Sequence, residues 1–354
     1  MEEATSVKPS PVNVTGSQPT RSPGLPPAFY LRPTRRQYAL RRFLSLVLAV
    51  TVFNLLGAAV YGISRLGSSG HPLPAGQSRS ATKPVRPSAP LPPLSKEPGG
   101  GTTLFPSHRL VAFYGAPASP KLGVLGEAPP EALWSRLTAA AAPFSSPNTV
   151  VVPSFELIAY TAQAAPGPNG TYAAELRPSQ IDEYLGVVRA HHGMLILDIQ
   201  PGRGSLLADA QALEPWLVNP DVGLALDPEW ELQPGQRPGA QIGQTTAGEI
   251  NQVSDWLQSL TVTHRLPEKL LVVHEFRASM VVAKPDVTSR PNLSVAFNMD
   301  GFGASDNKLS VYQLLASDPR WALGYKLFYT RDRPLQTADD VLALTPPPQI
   351  VEYE

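Results

Sequence analysis

The chain has 354 residues, a formal net charge of zero and no cysteine. A neutral balance provides no basic surface for a nucleic acid, and we therefore predict no nucleic-acid partner. Without cysteine the chain has no disulfide, no thiolate metal site and no thiol nucleophile. This composition fits a bacterial exported protein that folds without disulfides.

The N-terminal third contains a predicted tail and a predicted membrane anchor. Residues 1–42 are rich in Pro, Ser, Thr and Arg without hydrophobic periodicity, which predicts a disordered tail. Residues 43–63, FLSLVLAVTVFNLLGAAVYGI, contain no charge, and about 20 apolar residues span a bilayer core. A cleaved signal peptide is the alternative, but its apolar region is usually only about 7–15 residues long. We therefore predict a single transmembrane helix in the lipid bilayer.

Charge on either side of this helix predicts its orientation. Five arginines precede it: Arg32, Arg35, Arg36, Arg41 and Arg42. Basic residues remain on the cytoplasmic side, so the N-terminus is predicted to be cytoplasmic and the C-terminal domain extracytoplasmic. Residues 64–107 form a Pro/Gly/Ser-rich linker, which extends at about 3.1 Å per residue in the polyproline conformation. The linker is predicted to hold the domain 108–354 away from the cell membrane.

From residue 108 onward, short apolar runs alternate with helix-like stretches. Eight runs are candidate strands: 109–115, 149–156, 193–200, 222–229, 269–276, 293–300, 323–330 and 349–353. Plausible helices separate most of them, and only 277–292 is a poor helix. Alternating strands and helices predict a parallel sheet, and eight repeats predict an α/β fold of the closed (β/α)₈ barrel type. An open doubly wound sheet usually has a glycine-rich phosphate loop after its first strand, and FYGAPASPKLG is not one.

Polar residues stand at the ends of most of these runs. In a (β/α)₈ barrel the catalytic groups come from the C-terminal ends of several strands. The predicted ring consists of Tyr114, Glu156, Asp198, Gln200, Asp227, Glu229, Glu231, His274, Glu275, Asn298, Asp300, Lys326 and Glu352. Side-chain alternation does not decide between His274 and Glu275 on the fifth strand.

The run VGLALDPEWE, residues 222–231, ends in three acids spaced two apart. On an extended strand that spacing places Asp227 and Glu229 on one side, with Glu231 on the loop that follows. Two inward carboxyl groups suggest glycosidic-bond chemistry. Glu229 is the predicted general acid, because Asp227 and Glu275 would raise its pKa, and Asp227 is its predicted electrostatic partner. Trp230 would bind the substrate together with the remaining polar residues at the strand ends.

The segment GLALDPEW resembles the fourth-strand motif of chitinase-like glycoside hydrolases, which ends in Asp-x-Glu. The resemblance implies that Glu229 donates a proton and that Asp227 orients a substrate N-acetyl group. Met299 and Asp300 are similar to the end of the family's sixth-strand motif. Ala225 and Asn298 stand where the family has an Asp and a Tyr.

Two other classes remain open. His274 with Asp198, Asp227 or Asp300 could hold a divalent ion in a metal-dependent hydrolase. A barrel without turnover could bind glycans or a partner in the cell envelope. We expect a membrane-tethered glycoside hydrolase-like protein that acts on cell-wall or extracellular glycan without a cofactor or metal.

Overall fold

Eight parallel strands close into a barrel in the computed structural model, which describes residues 94–117 and 119–354. The strands are β1 (His108–Gly115), β2 (Val150–Ala162), β3 (Met194–Ile199), β4 (Val222–Leu226), β5 (Lys269–Glu275), β6 (Leu293–Met299), β7 (Ala322–Leu327) and β8 (Ile350–Tyr353). Each strand pairs with the next, and β1 pairs with both β2 and β8, which closes the ring. All eight coincide with predicted runs, so the predicted (β/α)₈ barrel is confirmed.

Seven α-helices connect the strands in the described residues: α1 (Pro130–Ala141), α2 (Pro178–Ala190), α3 (Leu206–Ala212), α4 (Glu214–Leu217), α5 (Ala247–Thr263), α6 (Ser305–Ala316) and α7 (Ala338–Leu342). Between β5 and β6 the chain forms short 3₁₀ turns instead of an α-helix, as the sequence predicts. β2 runs past its predicted end and pairs antiparallel with Ala173–Glu175. None of the described helices combines the length and apolar character that crossing a membrane requires.

Helix α5 illustrates how local sequence fixes these connections. The Thr246 hydroxyl accepts from the Glu249 backbone N–H at 3.2 Å, and the Glu249 carboxylate accepts from the Thr246 N–H at 2.9 Å. This capping box satisfies backbone donors that the first turn leaves free. Ile250, Val253 and Leu257 then follow at helical spacing and are fully buried against the sheet.

Alternation along the strands divides the core into an outer and an inner part. On β3, Leu195, Leu197 and Ile199 belong to the outer core that packs under the helices, whereas Ile196 belongs to the inner one. The inner part is apolar near the N-terminal strand ends, where Leu110, Val152, Ile196, Leu270, Val272, Ala296 and Ile350 meet. This layer forms the floor of the barrel.

The floor is closed by a segment that the sequence assigned to the linker. Leu104 is fully buried in the inner core, and its backbone N–H donates to the Glu268 carboxylate at 2.8 Å. Burying Leu104 shields the apolar floor from water. Leu104, which lies within the predicted linker, therefore packs as part of the barrel. The predicted tail and transmembrane helix, and the linker up to residue 93, lie outside the described residues.

Candidate active site

A cavity of about 540 Å³ opens at the C-terminal ends of the strands. Seven of the predicted site residues line it: Tyr114, Gln200, Asp227, Glu229, Trp230, Asp300 and Lys326. The barrel therefore brings together polar residues from β1, β3, β4, β6 and β7 that are distant in the sequence. The volume is typical of sites that enclose a small ligand or part of a larger one.

The end of β4 places two of the acids in this cavity by different means. The Asp227 backbone N–H donates to the Ile199 carbonyl at 3.0 Å, which continues the strand pairing by one residue. Pro228–Trp230 then forms a 3₁₀ turn, for which the fixed φ of Pro228 is suited. Strand alternation therefore holds as far as Asp227, and Glu229 reaches the cavity through the turn. Glu231 is buried outside the cavity, and its backbone pairs with that of Gly202 in an isolated β-bridge.

Three carboxyl groups converge at the mouth. Asp227, Glu229 and Asp300 each offer an oxygen within 4.8 Å of the others. Burial, followed by the charge of Asp300, raises the pKa of Glu229 to about 8. The predicted cause, Asp227 with Glu275, is therefore not the main one. Burial and then Glu229 raise the pKa of Asp227 well above its usual value.

The pKa of Asp300 shifts in the opposite direction. Burial alone would raise its pKa, but Lys326 and His274 together hold it below its usual value. The Lys326 ammonium lies 3.2 Å from Asp300 Oδ1, and His274 Nδ1 lies 3.2 Å from Asp300 Oδ2. Asp300 is therefore ionised at neutral pH, whereas Glu229 keeps its proton.

Neighbouring side chains fix the positions of these groups. Lys326 Nζ lies 3.3 Å from the centre of the Tyr114 ring, a cation–π contact, and 3.0 Å from Glu354 Oε2. The Tyr114 hydroxyl donates to Asp198 at 3.1 Å. The amide of Gln200 donates to the Tyr114 hydroxyl at 3.0 Å and to Asp227 at 3.3 Å. The mouth is thus a connected polar network.

Below the mouth lies a second cluster that contains Glu156, His274 and Glu352. All three are fully buried, and His274 Nε2 lies 2.6 Å from Glu156 Oε1. Burial would lower the pKa of His274, but the charge of Glu156 and the other nearby acids raises it well above its usual value. Burial and the charge of Glu156 raise the pKa of Glu352. Both carboxyl oxygens of Glu352 are buried without a hydrogen-bond partner among the described residues.

These positions correct several predicted substrate contacts. Glu156, Asp198 and His274 are buried in the barrel and do not line the cavity. Asp198 contacts Tyr114 and His274 contacts Asp300, whereas Glu156 contacts His274. Of His274 and Glu275 on β5, His274 is the residue that faces the barrel interior, where it contacts Glu156. Glu275 faces outward and binds Lys284 at 2.5 Å, so the prediction that it lines the cleft is wrong.

The cavity also contains residues that the sequence analysis missed: Lys121, Leu122, Ile158, Phe276, Gly301, Phe302, Asn307, Lys308, Val311, Phe328, Arg331 and Glu354. Phe328 and Glu354 lie two residues beyond the inward-facing Lys326 and Glu352, so strand alternation could have found them. Most of the others come from loops or helices, where no periodic pattern marks the side that faces the barrel.

Two groups of side chains have the spacing of metal ligands: Asp227, Glu229 and Asp300 at the mouth, and Glu156, His274 and Glu352 beneath it. In the first group, Lys326 and His274 already contact both oxygens of Asp300. In the second, His274 Nε2 and Glu156 are in direct contact. A cation would have to displace these protein contacts in either place.

No protein-family model matches the sequence, and no curated protein matches it. Among solved structures, the chain is similar to Thermotoga maritima Cel5A in complex with cellobiose, at 8% identity and a TM-score of 0.41, covering 70% of this chain and 88% of that one. It is also similar to XEG5A, a GH5 xyloglucan-specific endo-β-1,4-glucanase from a metagenomic library, at 9% identity, a TM-score of 0.38 and coverage of 65% and 79%. Burkholderia cenocepacia dihydropteroate synthase matches at 11% identity, a TM-score of 0.31 and coverage of 70% and 86%. The barrel fold is assigned from the chain's own strand pairing and not from these similarities.

Proposed function

We propose that this barrel hydrolyses glycosidic bonds, with Glu229 as the general acid and Asp300 as the ionised partner. The observation that carries the proposal is the opposite pKa shift of two carboxyl groups in one cavity. The pKa of Glu229 is raised to about 8, and that of Asp300 is lowered. Glycoside hydrolysis needs one carboxyl that holds a proton and one that has lost it.

In this mechanism Glu229 donates its proton to the glycosidic oxygen as the bond to the anomeric carbon breaks. Asp300 supplies the negative charge that faces the anomeric carbon. One of its oxygens lies within 4.8 Å of an oxygen of Glu229, so both groups can act on the same glycosidic bond.

Asp227 has a different role from the one the sequence suggested. Its pKa is raised well above its usual value, and its Oδ2 accepts from Gln200. Its Oδ1 is buried and has no hydrogen-bond partner among the described residues. A protonated Asp227 can donate to a hydroxyl or acetamido oxygen of the sugar, a role related to the one that the chitinase-like resemblance implies. Asp300 therefore replaces Asp227 as the charged partner.

The surroundings of the acids suit a carbohydrate. Trp230, Phe276 and Phe302 line the cavity beside the polar groups, and Phe302 is 57% exposed. Flat apolar faces next to hydrogen-bonding groups match the alternating apolar and polar surface of a sugar. The sequence of residues 43–107 supports action outside the cytoplasm, on a cell-envelope or extracellular glycan, from a membrane anchor.

The test uses the purified full-length chain and a panel of peptidoglycan strands, chitin oligosaccharides and neutral plant-type oligosaccharides. Products are detected by reducing-end assay and mass spectrometry. Glu229→Gln is compared with Glu231→Gln, because the pKa of Glu231 is also raised to about 8 but its side chain lies outside the cavity. We expect only Glu229→Gln to lose turnover. Equal rates for Glu229→Gln and the unaltered chain would remove Glu229 from the mechanism.

The same experiment separates the alternatives. Turnover that chelators abolish and that added divalent ions restore would indicate a metal-dependent hydrolase. Saturable glycan binding without products would indicate a binding barrel. A protease-accessibility assay on intact cells tests the predicted orientation, because an extracytoplasmic barrel is cleaved or labelled from outside.

A further inference from the structure

A second cavity, of about 420 Å³, adjoins the first on the far side of Glu229. It is lined by Glu229, Trp230, Gly239, Ala240, Gln241, Ile242 and Phe276. Glu229, Trp230 and Phe276 line both cavities, so Glu229 stands at their boundary. Asp227 and Asp300 line the first cavity and not the second.

This arrangement assigns a direction to the bound substrate. A general acid must reach the glycosidic oxygen, which joins the sugar that is attacked to the portion that leaves. The attacked anomeric carbon must lie near Asp300, which is in the first cavity. The leaving portion then extends across Glu229 into the second cavity.

The chemistry of the second cavity indicates what the leaving portion is. Apart from Glu229, the described residues that line it are uncharged. Ile242 contributes an apolar side chain that is 40% exposed in this cavity. Trp230 and Phe276 add aromatic surface. A phosphate or nucleotide leaving group would find no positively charged side chain among these lining residues.

The loop that forms this cavity is held in place relative to Glu229. The Gly243 N–H donates to the Glu229 carbonyl at 2.6 Å, and Gln244 N–H donates to the Glu231 carbonyl at 3.1 Å. A Cβ on Gly243 would lie 2.3 Å from the Glu231 carbonyl oxygen, so only glycine allows this approach. Arg203 Nε donates to the Gln236 carbonyl at 3.0 Å in the middle of the loop. The second cavity is thus built by anchored backbone.

We propose that loop 239–242 forms the binding site for an uncharged sugar unit on the leaving side of the scissile bond. The substrates are then oligosaccharides or polysaccharides in which a neutral sugar follows the cleaved linkage, and not glycosyl phosphates or sugar nucleotides. This inference rests on the proposed glycosidase function.

The test compares Ile242→Ala with Val262→Ala, a matched truncation of another exposed apolar side chain, which is 58% exposed on α5. Both are assayed on the oligosaccharide that the full-length chain hydrolyses and on the dinitrophenyl glycoside of the same attacked sugar. We expect Ile242→Ala to lower kcat/KM for the oligosaccharide by about tenfold, the equivalent of about 1.4 kcal/mol. The dinitrophenyl glycoside, which lacks a leaving sugar, should change less than about twofold.

A split between the two substrates, with Val262→Ala unchanged on both, supports the leaving-side site. If Ile242→Ala has the same kcat/KM for the oligosaccharide as the unaltered chain, this inference is overturned and the glycosidase proposal remains intact. An equal loss on both substrates also overturns it, because the loop would then act on the reaction centre in general. Absence of any glycan hydrolysis by the unaltered chain overturns both proposals together.

Discussion

The upper and lower halves of the barrel interior are built from the same eight strands but have opposite chemistry. The lower half is an apolar layer that includes Ile196, Val272 and Ile350, closed from below by Leu104. The upper half buries carboxyl groups, His274 and Lys326. Burying such groups costs free energy unless they are paired. The contrast indicates that the lower half holds the fold together, and the upper half is where the proposed reaction would take place.

The largest expected effect is on turnover. Glu229→Gln should lower kcat by about 10²–10⁴-fold, the usual contribution of a general acid. Its stability at neutral pH should change little, because Glu229 is already uncharged there and glutamine has a similar shape. Rate measurements alongside urea unfolding check both parts. A large loss of stability without a rate effect would assign Glu229 to the fold instead.

The pH profile of the unaltered chain should reflect the same group. Glu229, with a pKa of about 8, is active as an acid while it holds its proton. kcat/KM should therefore fall as the pH rises through about 8. The acidic limb should lie below pH 4, because the pKa of Asp300 is held below its usual value. A profile that stays flat from pH 6 to pH 10 would contradict the assigned roles.

In the lower half the effect should be on stability. Ile196→Ala removes buried methyl groups from a fully enclosed position, which typically costs about 2–5 kcal/mol. The fraction that remains folded should retain its kcat, because Ile196 lies below the polar network. Urea unfolding with kcat corrected for the folded fraction measures this. A fall in corrected kcat as large as that of Glu229→Gln would show that the two halves are not separable.

A smaller effect is expected where the two clusters meet. His274 contacts Asp300 and holds its pKa down, so we treat His274 as a positioning residue. His274→Gln should move the acidic limb of kcat/KM to higher pH, because one of the groups that hold the pKa of Asp300 down is removed. His191→Gln serves as a control, because His191 is exposed on the surface. An unchanged acidic limb in His274→Gln would separate the buried cluster from catalysis.

The smallest effect concerns Glu97, a buried acid beneath the floor. Burial raises its pKa from its ordinary value of 4.5 to about 8, although Lys269 opposes the shift. Between these two pH values the folded chain binds more protons than the unfolded chain. The contribution of Glu97 to the free energy of unfolding therefore decreases as the pH rises. Glu97→Gln should therefore raise the unfolding free energy by about 1 kcal/mol at pH 8 and less at pH 5. Thermal unfolding at both values, with exposed Glu214→Gln as control, checks the trend.

Much of the fold could be predicted from local pattern, because hydrophobic alternation is written along each strand. Alternation locates all eight strands and puts Asp227, Asp300 and Lys326 at strand ends, and these three residues line the cavity. Local pattern failed where the chain leaves regular structure. The 3₁₀ turn at Pro228 redirects Glu229 and Glu231, and Leu104 lies in a Pro- and Gly-rich segment that gave no sign of packing.

The sequence by itself determined the barrel, the positions of the polar strand ends and the apolar segment 43–63 that predicts an anchor. The tertiary structure decided which acids ionise, because a pKa depends on burial and on charges that approach from other strands. Lys326 and His274 select Asp300 over Asp227 as the charged carboxylate. That choice follows from distances of a few ångströms between residues far apart in the chain, and closure of the barrel is what sets those distances.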